Sequence, residues 1–135
     1  MIYLLDTSIV SAFMRRTPEL HRHTAAIDTS DEVVISVVTR GEIRFGLSRL
    51  PEGARRRRLA SEAETLLSHL PSIPVNDAIA EQYAMCKRDA ERTGTPLADN
   101  DLWIAATAVE LGAVLVTADS DFGNLRGLTL VDWTR

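Results

Sequence analysis

The chain has 135 residues, 45% of them apolar and 25% charged, with a formal charge of −4 and one cysteine, Cys86. That length supports a single domain, 1–135, with one substantial core, and no apolar run approaches the ~20 residues needed to span a membrane. The negative charge rules out general attraction to polyanions, so any nucleic-acid contact must come from a local basic surface or bound cations, and a lone cysteine rules out an internal disulfide, as suits a reducing cytoplasm.

The opening MIYLLDTS has no basic leader and reads as a buried strand over residues 2–5, stopped at Asp6-Thr7-Ser8, which are helix N-cap residues. Ile9 to Met14 reads as a first helix. Thr17-Pro18-Glu19 opens a second, running to about Asp28, with the proline at its first helical position. Residues 32–37 carry VVISV, a run suited to a strand buried on both faces. A helix follows from Thr39 to Leu50, with Ile43, Leu47 and Leu50 as its apolar stripe. Beside that stripe lies Glu42, flanked one turn each way by Thr39 and Gly46, which are too small to cover it. The next helix, 55–70, begins with four arginines. Residues 72–75 are a short strand, 76–93 a long helix ending at Gly94, and Pro96 to Ala108 a stretch that starts as a loop, passes Asp99 and Asp101, and runs into an apolar helix ended by Gly112. Strands at 114–116 and 128–131 complete the chain.

Strands alternating with helices indicate an α/β domain with a mainly parallel sheet of about four to five strands, flanked by helices. Ligands of such folds bind at the carboxyl edge of the strands. Asp6 ends the first strand, and Asp119 lies just past the strand at 114–116. Glu42 sits on the first helical turn after the second strand. Asp101 shares a helix face with Ile104, Ala105 and Ala108, so its carboxylate points inward. Two such charges ~5 Å apart at an effective dielectric of ~20 repel by on the order of 3 kcal/mol. A shared proton or a hard divalent cation resolves the conflict, and Mg²⁺ with its retained waters leaves room for a phosphate.

Four segments together carry a resemblance: MIYLLDTS, Glu42 within TRGEIRFG, DLWIAATA from Asp101, and LVTADSDF from Leu115. In this order and spacing they resemble the PIN-domain family, and within it the VapC-type ribonuclease toxins of bacterial toxin–antitoxin pairs. The resemblance spans essentially the whole chain. It implies a three-layer fold, Mg²⁺- or Mn²⁺-dependent cleavage of RNA, a homodimer, a small VapB-like antitoxin that blocks the site, and contact with DNA only through that antitoxin. By motif position, Asp6 and Asp101 are expected to bind a first ion, and Glu42 and Asp119 to complete the site by holding a second ion or positioning the attacking water. Thr7 and Thr117 fall where the family's supporting hydroxyls sit. Of the doublets, Asp101 and Asp119 match the ligand positions, while Asp99 is expected to cap its helix and Asp121 the following turn.

Fourteen of the fifteen cationic side chains are arginine. Arg40, Arg44, Arg55 and Arg56 are candidates for RNA or antitoxin contacts, Arg55 and Arg56 because cations at a helix start oppose its dipole. Trp103 is placed to stack on a base or to pack in a dimer or antitoxin contact. Cys86 and Trp133 read as packing residues, and His21 and His23, two apart, do not share a helix face. Two other readings keep the fold: an RNA-processing nuclease without an antitoxin, and a catalytically silent binding module, which the retention of all four acids argues against. A phosphoaspartate domain would need a lysine at a strand end, whereas the sole lysine, Lys87, is mid-helix.

Overall fold

The computed structural model describes residues 1–135. Its elements, in chain order, are β1 (Ile2–Leu5), α1 (Thr7–Met14), α2 (Pro18–Ala25), β2 (Glu32–Ser36), α3 (Val37–Ser48), α4 (Ala54–His69), β3 (Ser72–Ile73), α5 (Asp77–Thr93), α6 (Asp99–Leu111), β4 (Val114–Val116), a 3₁₀ turn (Ser120–Asn124) and β5 (Thr129–Val131). All five strands are parallel, in the order β3-β2-β1-β4-β5.

The alternation of side chains along the strands builds two cores. Leu4, Val34 and Leu115 lie in register on one face and bury against α5, α6 and Phe122. Leu5, Ile35 and Val116 point the other way, into a core with α1 to α4 and Trp133. The result is the expected three-layer arrangement, with five strands. The helices change face after β3, so the chain reverses its direction across the sheet between β1 and β4. In doubly wound sheets ligands bind at such a reversal, here at the carboxyl ends of these two strands.

Helix boundaries shift from the sequence reading for local reasons. Asp6 caps α1, which therefore starts at Thr7. The Ser36 hydroxyl accepts from the Val38 amide and starts α3 two residues earlier than expected. Helix α2 stops at Ala25, and the Thr17 side chain makes no cap hydrogen bond. Gly94 and Gly112 end α5 and α6 with φ of 64° and 62°, a conformation glycine adopts without strain.

Helix α6 is buried along an unusually broad face: Ile104, Ala105, Ala106, Thr107 and Ala108 are all fully buried. Its small side chains let it lie close to the sheet and to α5. It runs opposite to the strands, so its N-terminus lies at their carboxyl edge.

Candidate active site

Asp6 is the most buried of the four acids, 5% exposed at the end of β1. The Thr7 amide donates to its Oδ1 at 2.7 Å. Thr117 Oγ1, at the end of β4, and Ser8 Oγ donate to its Oδ2 at 2.8 and 3.1 Å. Burial pushes the Asp6 carboxyl above its usual range; these donors oppose the shift and the Glu42 charge adds to it. The ends of β1 and β4 are thus tied together by one carboxylate.

Asp119 follows through a two-step link. Its amide donates to Thr117 Oγ1 at 3.0 Å, and its own Oδ1 accepts from the Asp121 amide at 2.9 Å. Asp119 is therefore the cap of the 3₁₀ turn, and Asp121, expected in that role, is the residue capped. Glu42 enters from α3 and is held by Thr7, whose Oγ1 donates to Glu42 Oε1 at 2.7 Å.

Asp101 enters from the opposite layer, on the first turn of α6. Burial raises its pKa most, followed by the charge of Asp6, with Glu42 and Asp119 adding to the rise. The charges of the other three acids therefore all act on Asp101. The protein's ion pairs all lie elsewhere, and none neutralises this cluster.

Asp99 does not belong to the cluster, and it does not cap α6. The cap position is Ala98, without a side-chain bond, and Asp99 is the first helical residue. Its Oδ1 accepts from Tyr83 Oη and Lys87 Nζ, each at 2.9 Å, on the outer side of α5. A capping geometry would turn Asp99 back over its own helix, whereas a cation on the neighbouring helix draws it outward.

The donor set suits a hard divalent cation: oxygen ligands, anionic, and without protein counter-charge. No three His, Cys, Asp or Glu side chains of the structure are grouped closely enough to hold a metal ion between them.

The arginines divide into three groups. Arg40 is removed from the groove: its Nε donates to Ser72 Oγ at 2.7 Å and a terminal nitrogen to the Leu67 carbonyl at 2.9 Å, so it joins α3 to β3 and the end of α4. Arg40→Ala leaves these acceptors unpaired, and urea unfolding is expected to show a loss of about 1–3 kcal/mol. Arg44 pairs with Glu64 at 3.1 Å, and Arg56 donates to the Leu50 carbonyl at 3.3 Å. Arg55 does line a groove of about 250 Å³ between α1, α3 and α4, which has Thr7 and Glu42 on its wall and also takes in Arg15 and Arg58. Trp103 stacks on Tyr83, with ring centroids 3.9 Å apart and planes 9° from parallel, so one of its faces is already covered. Cys86 and Trp133 are core residues, as expected.

Ser8, Arg15 and Thr39 lie outside the expected set. Ser8 is legible as a second hydroxyl after Asp6, and Thr39 as a hydroxyl one turn before Glu42. Arg58 belongs to the run of four arginines at the start of α4, and Arg15 enters only through the packing of α1 on α4.

Comparison with known proteins identifies the family. The PIN domain model matches residues 3–128. Ribonuclease VapC1 of Haemophilus influenzae (strain R2866) is 30% identical over 140 residues, covering 100% of both chains. Among solved structures, VapBC2 from Rickettsia felis, bound to a DNA fragment from their promoter, is similar with a TM-score of 0.87 and 25% identity, over 98% of this chain and 99% of that one. VapBC-5 from Mycobacterium tuberculosis, a member of the VapBC family of toxin–antitoxin systems, gives a TM-score of 0.77 and 26% identity over 97% and 98%. With matches running nearly end to end, the chain belongs to the PIN-domain family, in its VapC branch.

Proposed function

We propose that this protein is an endoribonuclease toxin that hydrolyses RNA phosphodiester bonds with a divalent cation, Mg²⁺ or Mn²⁺, and is neutralised by a small VapB-like antitoxin. The observation that supports the reading is that Asp6, tied to Thr117 at the end of β4, and Asp101, on the first turn of α6, feel each other's charge while no ion pair of the protein involves either. The similarity to VapC1, a ribonuclease, and to VapBC assemblies supports the activity and the antitoxin partner.

In this reading Asp6 and Asp101 hold the ion, and Asp119 and Glu42 complete the site. When bound, the cation lowers the pKa of a coordinated water and offsets charge developing on the phosphate. The protein's own part is orientation. Thr117 and Ser8 fix the Asp6 carboxylate, the 3₁₀ turn fixes Asp119, and Thr7 directs Glu42 toward the attacking water. Arg55 and Arg58 offer the phosphate backbone a local positive wall on a molecule that is negative overall. No helix is long and apolar enough to cross a membrane; action on cytoplasmic RNA as a homodimer is what the family membership implies.

The test is purified protein incubated with RNA in Mg²⁺, Mn²⁺ or EDTA. Cleavage is expected with either metal and should disappear in EDTA. Cleavage that persists in EDTA overturns the metal-dependent reading.

A further inference from the structure

We propose that the groove between α1, α3 and α4 is a subsite for one nucleotide of the RNA strand beside the cleaved bond, with Ser11 taking the ribose 2′-hydroxyl and Arg15 and Arg58 the phosphate; this rests on the ribonuclease reading above. Thr7 and Glu42 stand on the wall of the groove, so it runs outward from the acids. On α1, Thr7, Ser11 and Arg15 line it at intervals of four residues, about 6 Å apart along the helix. Its other walls carry Glu42 and Gly46 from α3 and Arg55 and Arg58 from α4.

Three features of the groove have no internal use. Arg15, Arg55 and Arg58 make no ion pair, and Glu42 is the only carboxylate on the wall. The result is a cationic strip on a protein of charge −4, and guanidinium groups suit phosphate oxygens. The second feature is the Ser11 hydroxyl. That of Thr7 is committed to Glu42 and Thr39, and those of Thr24, Thr65 and Thr107 turn back to the carbonyl four residues earlier in their helices. The Ser11 hydroxyl does neither and opens on the groove. It both donates and accepts, as a ribose 2′-hydroxyl does, whereas a phosphate oxygen only accepts.

The third feature is Gly46. Its φ is not positive, and a Cβ there would meet no atom within 4 Å, so neither backbone nor packing requires glycine. Glycine in a helix costs stability relative to alanine or leucine. What the missing side chain serves is the open width of the groove, one turn from Glu42.

The test is the purified full chain cleaving a short RNA, with 2′-deoxy residues placed singly around the cut. For wild type, one flanking position should raise KM about five-fold when its 2′-hydroxyl is removed. Ser11→Ala should show a similar rise on the all-ribose RNA, with kcat little changed, and should no longer respond to that deoxy position. Gly46→Leu should unfold on heating no earlier than wild type, yet raise KM about ten-fold by filling the groove. Arg15→Gln should lower the slope of log affinity against log salt by about one. A folded Ser11→Ala protein as sensitive as wild type to every deoxy position overturns the proposal. So does Gly46→Leu with wild-type KM, the result expected of a groove that serves a peptide partner only. Wild-type protein that cleaves no RNA in Mg²⁺ or Mn²⁺ defeats the ribonuclease reading alone. Fluorescence anisotropy of the same RNA then decides the subsite, and binding unchanged in both Gly46→Leu and Arg15→Gln overturns it.

Discussion

Asp101→Asn is expected to reduce RNA cleavage by on the order of 10³-fold or more while raising the thermal midpoint of the metal-free protein. The amide has the shape of the carboxylate, so α6 keeps its seat on the sheet. It lacks the charge that a divalent cation needs, and lost electrostatic stabilisation at a reacting centre costs factors of this size. The stability gain follows from the direction of the pKa shift. Burial and the neighbouring Asp6 raise the Asp101 pKa in the folded state. Such a group contributes stability that is fully present below the ordinary carboxylate range and is lost as pH rises through the raised value. At neutral pH the charged form is therefore a burden that asparagine removes. The gap in thermal midpoint between Asp101→Asn and wild type should close as the pH is lowered through the raised value. Asp6→Asn should follow the same pattern in activity. Asp99→Asn, two residues away, loses only contacts on the outer side of α5 and should cleave normally. A wild-type level of cleavage by both Asp6→Asn and Asp101→Asn would end the case for this site.

Phe122→Ala should produce the largest loss of stability, about 3–5 kcal/mol, or roughly 10–20 °C in thermal midpoint for a domain of this size. Phe122 is fully buried among the residues that pack β1 and β4 against α5 and α6. It is also the hydrophobic anchor of the 3₁₀ turn whose cap is Asp119. Truncation leaves a cavity and frees the turn, so cleavage should fall even at temperatures well below the new midpoint. Phe122→Leu fills more of the space and should retain more of both properties. A midpoint within a few degrees of wild type in Phe122→Ala would show that the turn is held by its backbone alone.

The layered fold was legible because its signals are periodic: two-residue alternation in the strands, and apolar stripes followed by glycine stops in the helices. The four acids were legible because each stands beside such an element, at the end of a strand or on the first turn of a helix. The reading failed where a side chain's fate depends on a neighbour far along the chain. Asp99 looks like a cap until Lys87 and Tyr83 arrive from α5. Arg40 looks free until Ser72 and the Leu67 carbonyl close over it. Asp119 takes the capping role expected of Asp121 because Thr117 takes the Asp119 amide, which sets the start of the turn. Hydroxyl pairing of the Thr39–Thr7 kind leaves no periodic trace at all.

The reversal between β1 and β4 also has a bearing on synthesis. The Thr117–Asp6 bond joins residues 111 positions apart, and Glu42 and Asp101 arrive from opposite layers of the sheet. No early portion of a growing chain holds a working subset of the site, because β4 must be made and slotted beside β1 first. On the ribonuclease reading, the site cannot assemble on a nascent chain until β4 has been translated.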